Sequence, residues 1–301
     1  MMLRKLTKSI LKLFAPLIGN DRWFVKNIYY LRTGRHIDMD NPMTYNEKLQ
    51  WLKVYNRHDF QHCRVDKLAV KDFVKQQIGE DYVIPTFGVW DSVDQIDYNS
   101  LPDSFVLKTT HGYGGKGVVI CKSKDSLDRD AAAKTLSRSL RKKNYPTLRE
   151  WPYKHIKPRI IAEKYIGTEA EPVPPDYKFF CFGGHASYVM VCVDRSVGRR
   201  KPRYYFFDRD WNFRPFNKVD KDTPADFTLP KPAGIDKMFT IADKLSQGEP
   251  HVRVDLYYVD GKIYFGEITY FNASGYDNDI SPETDRYFGS LIKLPQSSYK
   301  P

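Results

Sequence analysis

A chain of 301 residues, 41% hydrophobic and 28% charged, is long enough to bury one large core or two lobes that share a cleft. Its 48 Lys and Arg against 37 Asp and Glu leave a net charge of +11, which points to an anionic partner: nucleotide, nucleic acid, acidic glycan or membrane face. Cys63, Cys121, Cys181 and Cys192 show no CxxC spacing, which argues against a disulfide scaffold or cysteine-metal site and fits reduced thiols in a cytoplasmic protein.

Lysines at 5, 8 and 12 interrupt the first eighteen residues, so no apolar run is long enough for a signal peptide or a membrane span. At helical spacing Leu3, Leu6, Ile10, Leu13, Phe14 and Leu17 fall on one arc, and Arg4, Lys5, Lys8 and Lys12 on the opposite one. This amphipathic helix either packs on the body or docks on an anionic leaflet, making residues 1–18 a peripheral membrane contact at the inner face. Pro16 and Gly19 end it.

From Asp21 to about Gln61 the pattern is helical, with a break at Thr33-Gly34 and a restart at Asn41-Pro42. Thr44 with Glu47 three residues on reads as a capping box. Asp66 opens another helix, DKLAVKDFVKQQIG, which Gly79 ends, and a strand with Ile84-Pro85 follows.

The segment FVLKTTHGYGGKGVVI, residues 105–120, has strand character at both ends and a glycine-rich tip between them. A Walker A or Rossmann loop would feed a helix; this chain returns as a strand. Glycines let backbone N–H groups approach phosphate oxygens, and Lys108, in the strand before the tip, would place an ammonium beside them. His111 either donates a hydrogen bond to a phosphate or packs at the base of the loop.

Three further segments follow: RIIAEKYIG, an apolar strand interrupted by Glu163; DYKFFCFGGHASYVMVCVDR, two strands around Gly183-Gly184; and HVRVDLYYVDGKIYFGEITYFNASG, a hairpin that places Asp255 and Glu267 in apolar strands. Carboxylates there must be paired or metal-bound. Beside a phosphate-binding loop, Mg²⁺ is the fitting partner, because it is held by one or two carboxylates plus substrate phosphates.

Asp255 and Glu267 can share a metal only from one face of the hairpin. A two-residue Asp260-Gly261 loop with regular pairing would send them to opposite faces. A three-residue loop pairing Tyr258 with Lys262, or an equivalent bulge, would group them with Arg253 and Thr269. Under the three-residue loop, Ile263 and Phe265 would join that face too.

In order, NPMTYNEKLQWLK, DKLAVKDFV, IPTFGVWDSVDQID, FVLKTTHGYGG, PRIIAEKYI, DYKFFCFGG, VRVDLY and GKIYFGEITY resemble the TupA-like (teichuronopeptide-biosynthesis) ATP-grasp family over roughly residues 40–294. The resemblance implies an α+β, ATP-grasp fold in which two lobes hold a nucleotide cleft between antiparallel sheets. An N-terminal helical region (1–60) would precede a small lobe with the flap (61–163) and a large lobe with the metal site (164–301).

Carried over by position, Lys108 would contact phosphate, and the flap with His111, Gly112, Gly114 and Gly115 would close over ATP. Glu163 with the backbone of Lys164 and Tyr165 would line the adenine hinge, and Lys178 would reach the terminal phosphate. Asp255 and Glu267 would bind Mg²⁺. Where broader ATP-grasp enzymes place Asn two residues after the glutamate, this chain has Thr269, so either Thr269 coordinates or Asn272 substitutes, and one or two metals remain open. Arg195 and Arg253 would grip the acceptor carboxylate.

The implied reaction is carboxylate-amine ligation through an acyl phosphate, joining an amino acid or amine to a uronic acid of a surface polysaccharide. The alternative is a glycosyltransferase, which should show a DxD metal site. Asp38-Met39-Asp40 and Asp208-Arg209-Asp210 have that spacing in turn-like contexts. The basic loop 196–203 is a solvated turn or a recognition loop for an acidic substrate. Aromatic residues follow core periodicity and do not interleave with Lys and Arg, which argues against nucleic acid.

Overall fold

The computed structural model describes residues 2–115, 117–143, 145–169, 171–193, 202–224 and 226–296, the side chains of residues 2, 3, 5 and 6 excepted. Helix α1 (Met2–Leu13) gives way to a tight turn at Pro16, and α2 (Asp21–Thr33) starts on the Asn20 side chain and stops at left-handed Gly34. The capping box is present: Thr44 and Glu47 bracket the first turn of α3 (Tyr45–Tyr55). The helix expected from Asp66 begins later, because the Asp66 carboxylate accepts from the amides of Leu68 and Ala69 and holds a turn between α4 (Phe60–Val65) and α5 (Val70–Ile78).

The first sheet contains β1 (Thr86–Trp90), β2 (Phe105–Thr109) and β3 (Val118–Cys121). Helices α6 (Arg129–Leu140) and α7 (Tyr145–Leu148) follow, and β4 (Ile160–Lys164) then inserts between β1 and β2. Ile160, Ile161 and Ala162 are fully buried in that central position, which is why the segment reads as a continuous apolar run.

The second sheet is built from β5 (Asp176–Phe182), β6 (His185–Val193), β7 (Arg203–Phe207) and β8 (Phe213–Arg214). Helix α8 (Ile235–Leu245) leads into β9 (His251–Val259) and β10 (Lys262–Thr269), and α9 (Pro282–Leu291) closes the chain. The strands run in the order β10-β9-β5-β6-β7-β8, all antiparallel, so β9 and β5 are interior.

The buried residues gather into a smaller and a larger core. The small core gathers Phe105, Leu107, Leu136, Ile160 and Ala162 around the first sheet. Val65, Val70 and Val74, expected in the small lobe, join the larger core with Phe179, Phe239 and Val254, and so do Tyr45 and Leu49 of α3. Helices α3, α4 and α5 thus contribute buried side chains to the larger core.

Four described residues of the N-terminal apolar arc stay largely unburied. Leu11 and Ile18 pack near Phe24 and Ile28, whereas Leu13 is 75% exposed, Leu17 81%, and Ile10 and Phe14 about half. Among the described residues no helix is long and apolar enough to cross a membrane. Most of the basic loop expected over 196–203 lies outside the described residues; Arg203 opens β7.

Candidate active site

One wall of the site is the small sheet. Lys108 on β2 and Glu163 on β4 are neighbours on adjacent strands, and Lys108 Nζ lies 2.6 Å from Glu163 Oε2. Lys71 of α5 approaches the other oxygen at 2.7 Å and donates to the Ile84 carbonyl and the Thr86 hydroxyl. Burial pushes the Glu163 carboxyl up, but the ammonium groups of Lys108 and Lys71 outweigh it and hold it below the usual glutamate range. Glu163 is thus an anchor that sets the height of Lys108 in the cleft. Lys164 ends β4, its amide bonded to the Pro85 carbonyl, and the Tyr165 hydroxyl closes the following loop on Pro172.

Between β2 and β3 the flap turns through left-handed Gly114, Gly115 and Gly117. Gly117 also has a packing reason: a Cβ there would lie 2.3 Å from the Ser139 hydroxyl and 2.7 Å from that of Thr109. Of the two roles left open for His111, the structure shows contacts of the packed kind. His111 is buried, and its Nε2 lies within hydrogen-bonding distance of the Ser139 and Lys142 carbonyls at the end of α6, so the ring fastens the base of the flap. Gly112 presents its carbonyl to the Lys67 ammonium.

The other wall is the β9-β10 hairpin. Asp260 and Gly261 both take positive φ, 48° and 77°, and Lys262 pairs with Val259, so the loop has two residues rather than three. The register then shifts between Phe265 and Glu267, making Gly266 a bulge. Beyond it Glu267 stands directly opposite Asp255, and Thr269 opposite Arg253. The bulge does what the longer loop could not: Ile263 and Phe265 stay on the core face with Leu256, and both carboxylates share the opposite face.

Asp255 is 2% exposed and carries dense charge pairing. Arg253 meets it through Nε and Nη2 at 2.6 and 2.7 Å, and Lys178, from the adjacent strand, at 2.6 Å. Lys178 also bonds Asp176. Burial pushes the Asp255 carboxyl up, but Arg253 and Lys178 hold it well below its ordinary value. Arg253 further contacts Asn272 Oδ1, Glu267 at 3.3 Å and the Thr269 hydroxyl at 3.2 Å. Glu267 is the open member of the pair, with its side chain 39% exposed.

The walls meet in a cleft lined by Lys67, Lys71, Ile84, Lys108 and Glu163 on one side and Phe265 and Gly266 on the other. Lys67 bridges them, bonded to the flap at Gly112 and 4.0 Å from Glu267. The sequence reading missed Lys67 and Lys71. Their signal was two lysines four apart in DKLAVKDFVK, a segment whose Val70, Phe73 and Val74 pack into the larger core. A larger hollow of about 310 Å³ between β3 and α6 contains none of these groups. Arg195 lies outside the described residues.

The two Asp-x-Asp spacings are turn caps. Asp38 accepts from the Asp40 amide, and Asp208 from the amides of Asp210 and Asn212.

Residues 47–293 match the TupA-like ATPgrasp family, and the chain belongs to it. Among solved structures it is similar to D-alanine–D-alanine ligase from Bacillus anthracis complexed with ATP (14% identity, TM-score 0.39, 69% of this chain and 53% of that one). It is also similar to D-alanine–D-alanine ligase from Helicobacter pylori (13%, 0.45, 83% and 69%) and to the ATP-grasp ligase PsnB complexed with minimal precursor, Mg and ADP (12%, 0.41, 82% and 64%). The match spans little more than half of the two Bacillus anthracis ligase chains, 53% and 57%. No curated protein matches the chain. The family match, rather than these likenesses, fixes the fold class as ATP-grasp.

Proposed function

We propose that this protein is an ATP- and Mg²⁺-dependent carboxylate-amine ligase. The observation that carries the reading is the adjacency of two charge sets: Lys108, Lys71 and Lys67 line one cleft, and the opposed pair Asp255 and Glu267, flanked by Arg253 and Lys178, is joined to it by Lys67, 4.0 Å from Glu267.

The donor set fits Mg²⁺. Asp255, Glu267 and the Thr269 hydroxyl are hard oxygen donors, whereas the Asn272 amide oxygen is taken by Arg253, and the described residues hold no group of three or more His, Cys, Asp or Glu that would form an all-protein cage. Two carboxylates with the remaining ligands from phosphates and water is the usual Mg²⁺ arrangement. When bound, the ion neutralises phosphate charge.

The protein's own groups do the rest. Lys108 and Lys67 neutralise the triphosphate, with Lys108 held at its height by Glu163. The backbone of Lys164 and Tyr165 lines the adenine end, and Gly112, Gly114 and Gly115 close over the phosphates and exclude water. Lys178 and Arg253 stabilise charge as a substrate carboxylate oxygen attacks the γ-phosphorus and the bond to the β-phosphate oxygen breaks, releasing ADP. An amine then attacks the acyl phosphate carbon, phosphate leaves, and the nitrogen loses a proton. Arg253 and Arg195 are the groups for the acceptor carboxylate.

The substrate pair we propose is a uronic acid of a surface polysaccharide or its precursor and an amino acid or amine, joined at the cytoplasmic face of the membrane. The charge of +11 supports an acidic glycan. ADP release, measured against a panel of uronic-acid glycans and amines, should require one of each, and Lys108→Ala should lower it about 100-fold. Sugar-nucleotide turnover without ATP would sink the ligase reading.

The exposed Ile10, Leu13, Phe14 and Leu17 beside Lys8 and Lys12 support peripheral docking on anionic lipid. Wild type should cosediment with phosphatidylserine vesicles, and the double variant Leu13→Ser/Leu17→Ser should stay in the supernatant while remaining active on a soluble substrate. A wild type that never sediments rules the docking out.

A further inference from the structure

Helix α3 carries a buried polar stripe that the chemistry above does not use. Asn46, Gln50 and Lys53 recur at helical spacing on one face, and they are 6%, 0% and 0% exposed. A helix does not bury an ammonium and two amides unless each finds a partner. All three end on one short piece of backbone. The Asn46 amide donates to the Asp277 carbonyl at 3.0 Å and accepts from the Asp277 N–H at 2.7 Å. Gln50 Nε2 donates to the carbonyls of Ser274 and Gly275, at 3.1 and 2.7 Å. Lys53 donates to the Ser274 carbonyl at 2.7 Å and to its hydroxyl at 3.0 Å. Gln50 serves the turn as a donor only, since its Oε1 has no partner.

The segment they hold is strained. Ala273 and Ser274 sit at φ, ψ of 46°, 25° and 56°, 31°, and Gly275 follows at φ 64°. Three successive left-handed residues, two of them with side chains, do not persist without outside support. Immediately before them stands Asn272, buried, with its Oδ1 accepting from Arg253 Nη1 and its Nδ2 donating to Asp277 at 2.8 Å. The Arg253 guanidinium is thus fixed on one edge by Asp255 and on the other by an asparagine whose place depends on the turn.

We infer that α3 is a positioning element of the active site: Asn46, Gln50 and Lys53 hold the left-handed turn 273–275, which sets Asn272 against Arg253 and so fixes the plane of the guanidinium. The role in turnover rests on the proposed ligase reading; the structural linkage does not. The stripe also accounts for an N-terminal helix that packs in the large body, since it completes the site from behind.

The test uses the full-length protein, with Gln50→Leu and Lys53→Met as parallel variants that keep side-chain bulk. Each should lower kcat about 10- to 100-fold with KM for ATP within about twofold, because the nucleotide wall is untouched. In ¹H–¹⁵N spectra the Arg253 Nε signal, assigned with Arg253→Lys, should move in both variants. Adding Ala273→Gly and Ser274→Gly to Gln50→Leu lets the turn form without being held, and should restore both the signal and most of kcat. If either variant proves unfolded, Asn272→Ala in its place should give the same kcat loss and signal shift. An unmoved Arg253 signal in folded variants overturns the inference even if kcat falls, since the loss would then be one of core packing. If wild type shows no ATP-dependent turnover with any carboxylate and amine, the ligase reading fails, and the signal and its recovery with the glycines still decide the linkage.

Discussion

Asp255→Asn and Glu267→Gln should each lower ATP-dependent turnover on the order of 1,000-fold, but only the first should also weaken the fold. The two carboxylates face each other across one hairpin, yet their surroundings differ. Asp255 is buried against Arg253 and Lys178, and removing its charge leaves two buried cations short of an anion, which costs about 3–5 kcal/mol. Glu267 is partly open to solvent, 3.3 Å from Arg253 and 4.0 Å from Lys67, so its amide should fold nearly as well as wild type. The contrast has a pH signature. Arg253 and Lys178 hold the Asp255 carboxyl below its ordinary value, so its stabilising contribution is complete above the unfolded-state pKa, about 3.9, and is lost as pH falls through the lower folded value. Denaturant unfolding should therefore separate wild type from Asp255→Asn at pH 7 and bring the two together in strong acid. Equal destabilisation by both substitutions at pH 7 would contradict this division of labour.

Much of the site was legible because the chemistry conflicted with its surroundings. Asp255 and Glu267 stood out as charges in apolar strands, and Lys108 as an ammonium leading into glycines; in the structure Asp255 and Glu267 stand opposite each other on the hairpin, and Lys108 lines a cleft with Lys67, which lies 4.0 Å from Glu267. The capping box at Thr44 and the stop at Gly34 were readable because backbone caps are local. What stayed hidden depends on contacts distant in sequence. Nothing local could choose between the two roles of His111, because its partners are carbonyls at the end of α6. Lys71 reads as surface until β4 brings Glu163 to it. Asn46, Gln50 and Lys53 look like the solvent face of a helix, and only the fold of residues 272–277 buries them. The packing of α5 was hidden for the same reason: its apolar face was evident, but not which of two cores it would join.

The bulge at Gly266 leads to an expectation that runs against the usual ranking of damage: substituting this residue should be worse than deleting it. Apolar positions in the strand step from Ile263 to Phe265 and then three residues to Ile268, so one residue must be extra if all three are to face the core. Gly266 is that residue. A Cβ on it would lie 2.9 Å from the Asp255 carbonyl oxygen and 3.1 Å from the Tyr257 ring, so Gly266→Val must either push β9 aside or drive the strand toward a regular register. The regular register would pair Glu267 with Val254 on the core face, where an unpaired carboxylate cannot stay. Turnover should fall about 100-fold, with about 1–3 kcal/mol of lost stability from crowding. Removing Gly266 joins Phe265 directly to Glu267. Alternation along the strand then still sends Phe265 to the face it shares with Leu256 and Glu267 to the other, opposite Asp255 as before, with no bulge required. The deletion variant should therefore fold and retain turnover within about tenfold of wild type, the remaining loss reflecting the shift of a residue that lines the cleft. Steady-state rates and thermal midpoints of the two variants decide it. A deletion as inactive as Gly266→Val would mean that the bulge backbone itself meets the nucleotide, and that its value lies in that contact rather than in bringing the two carboxylates together.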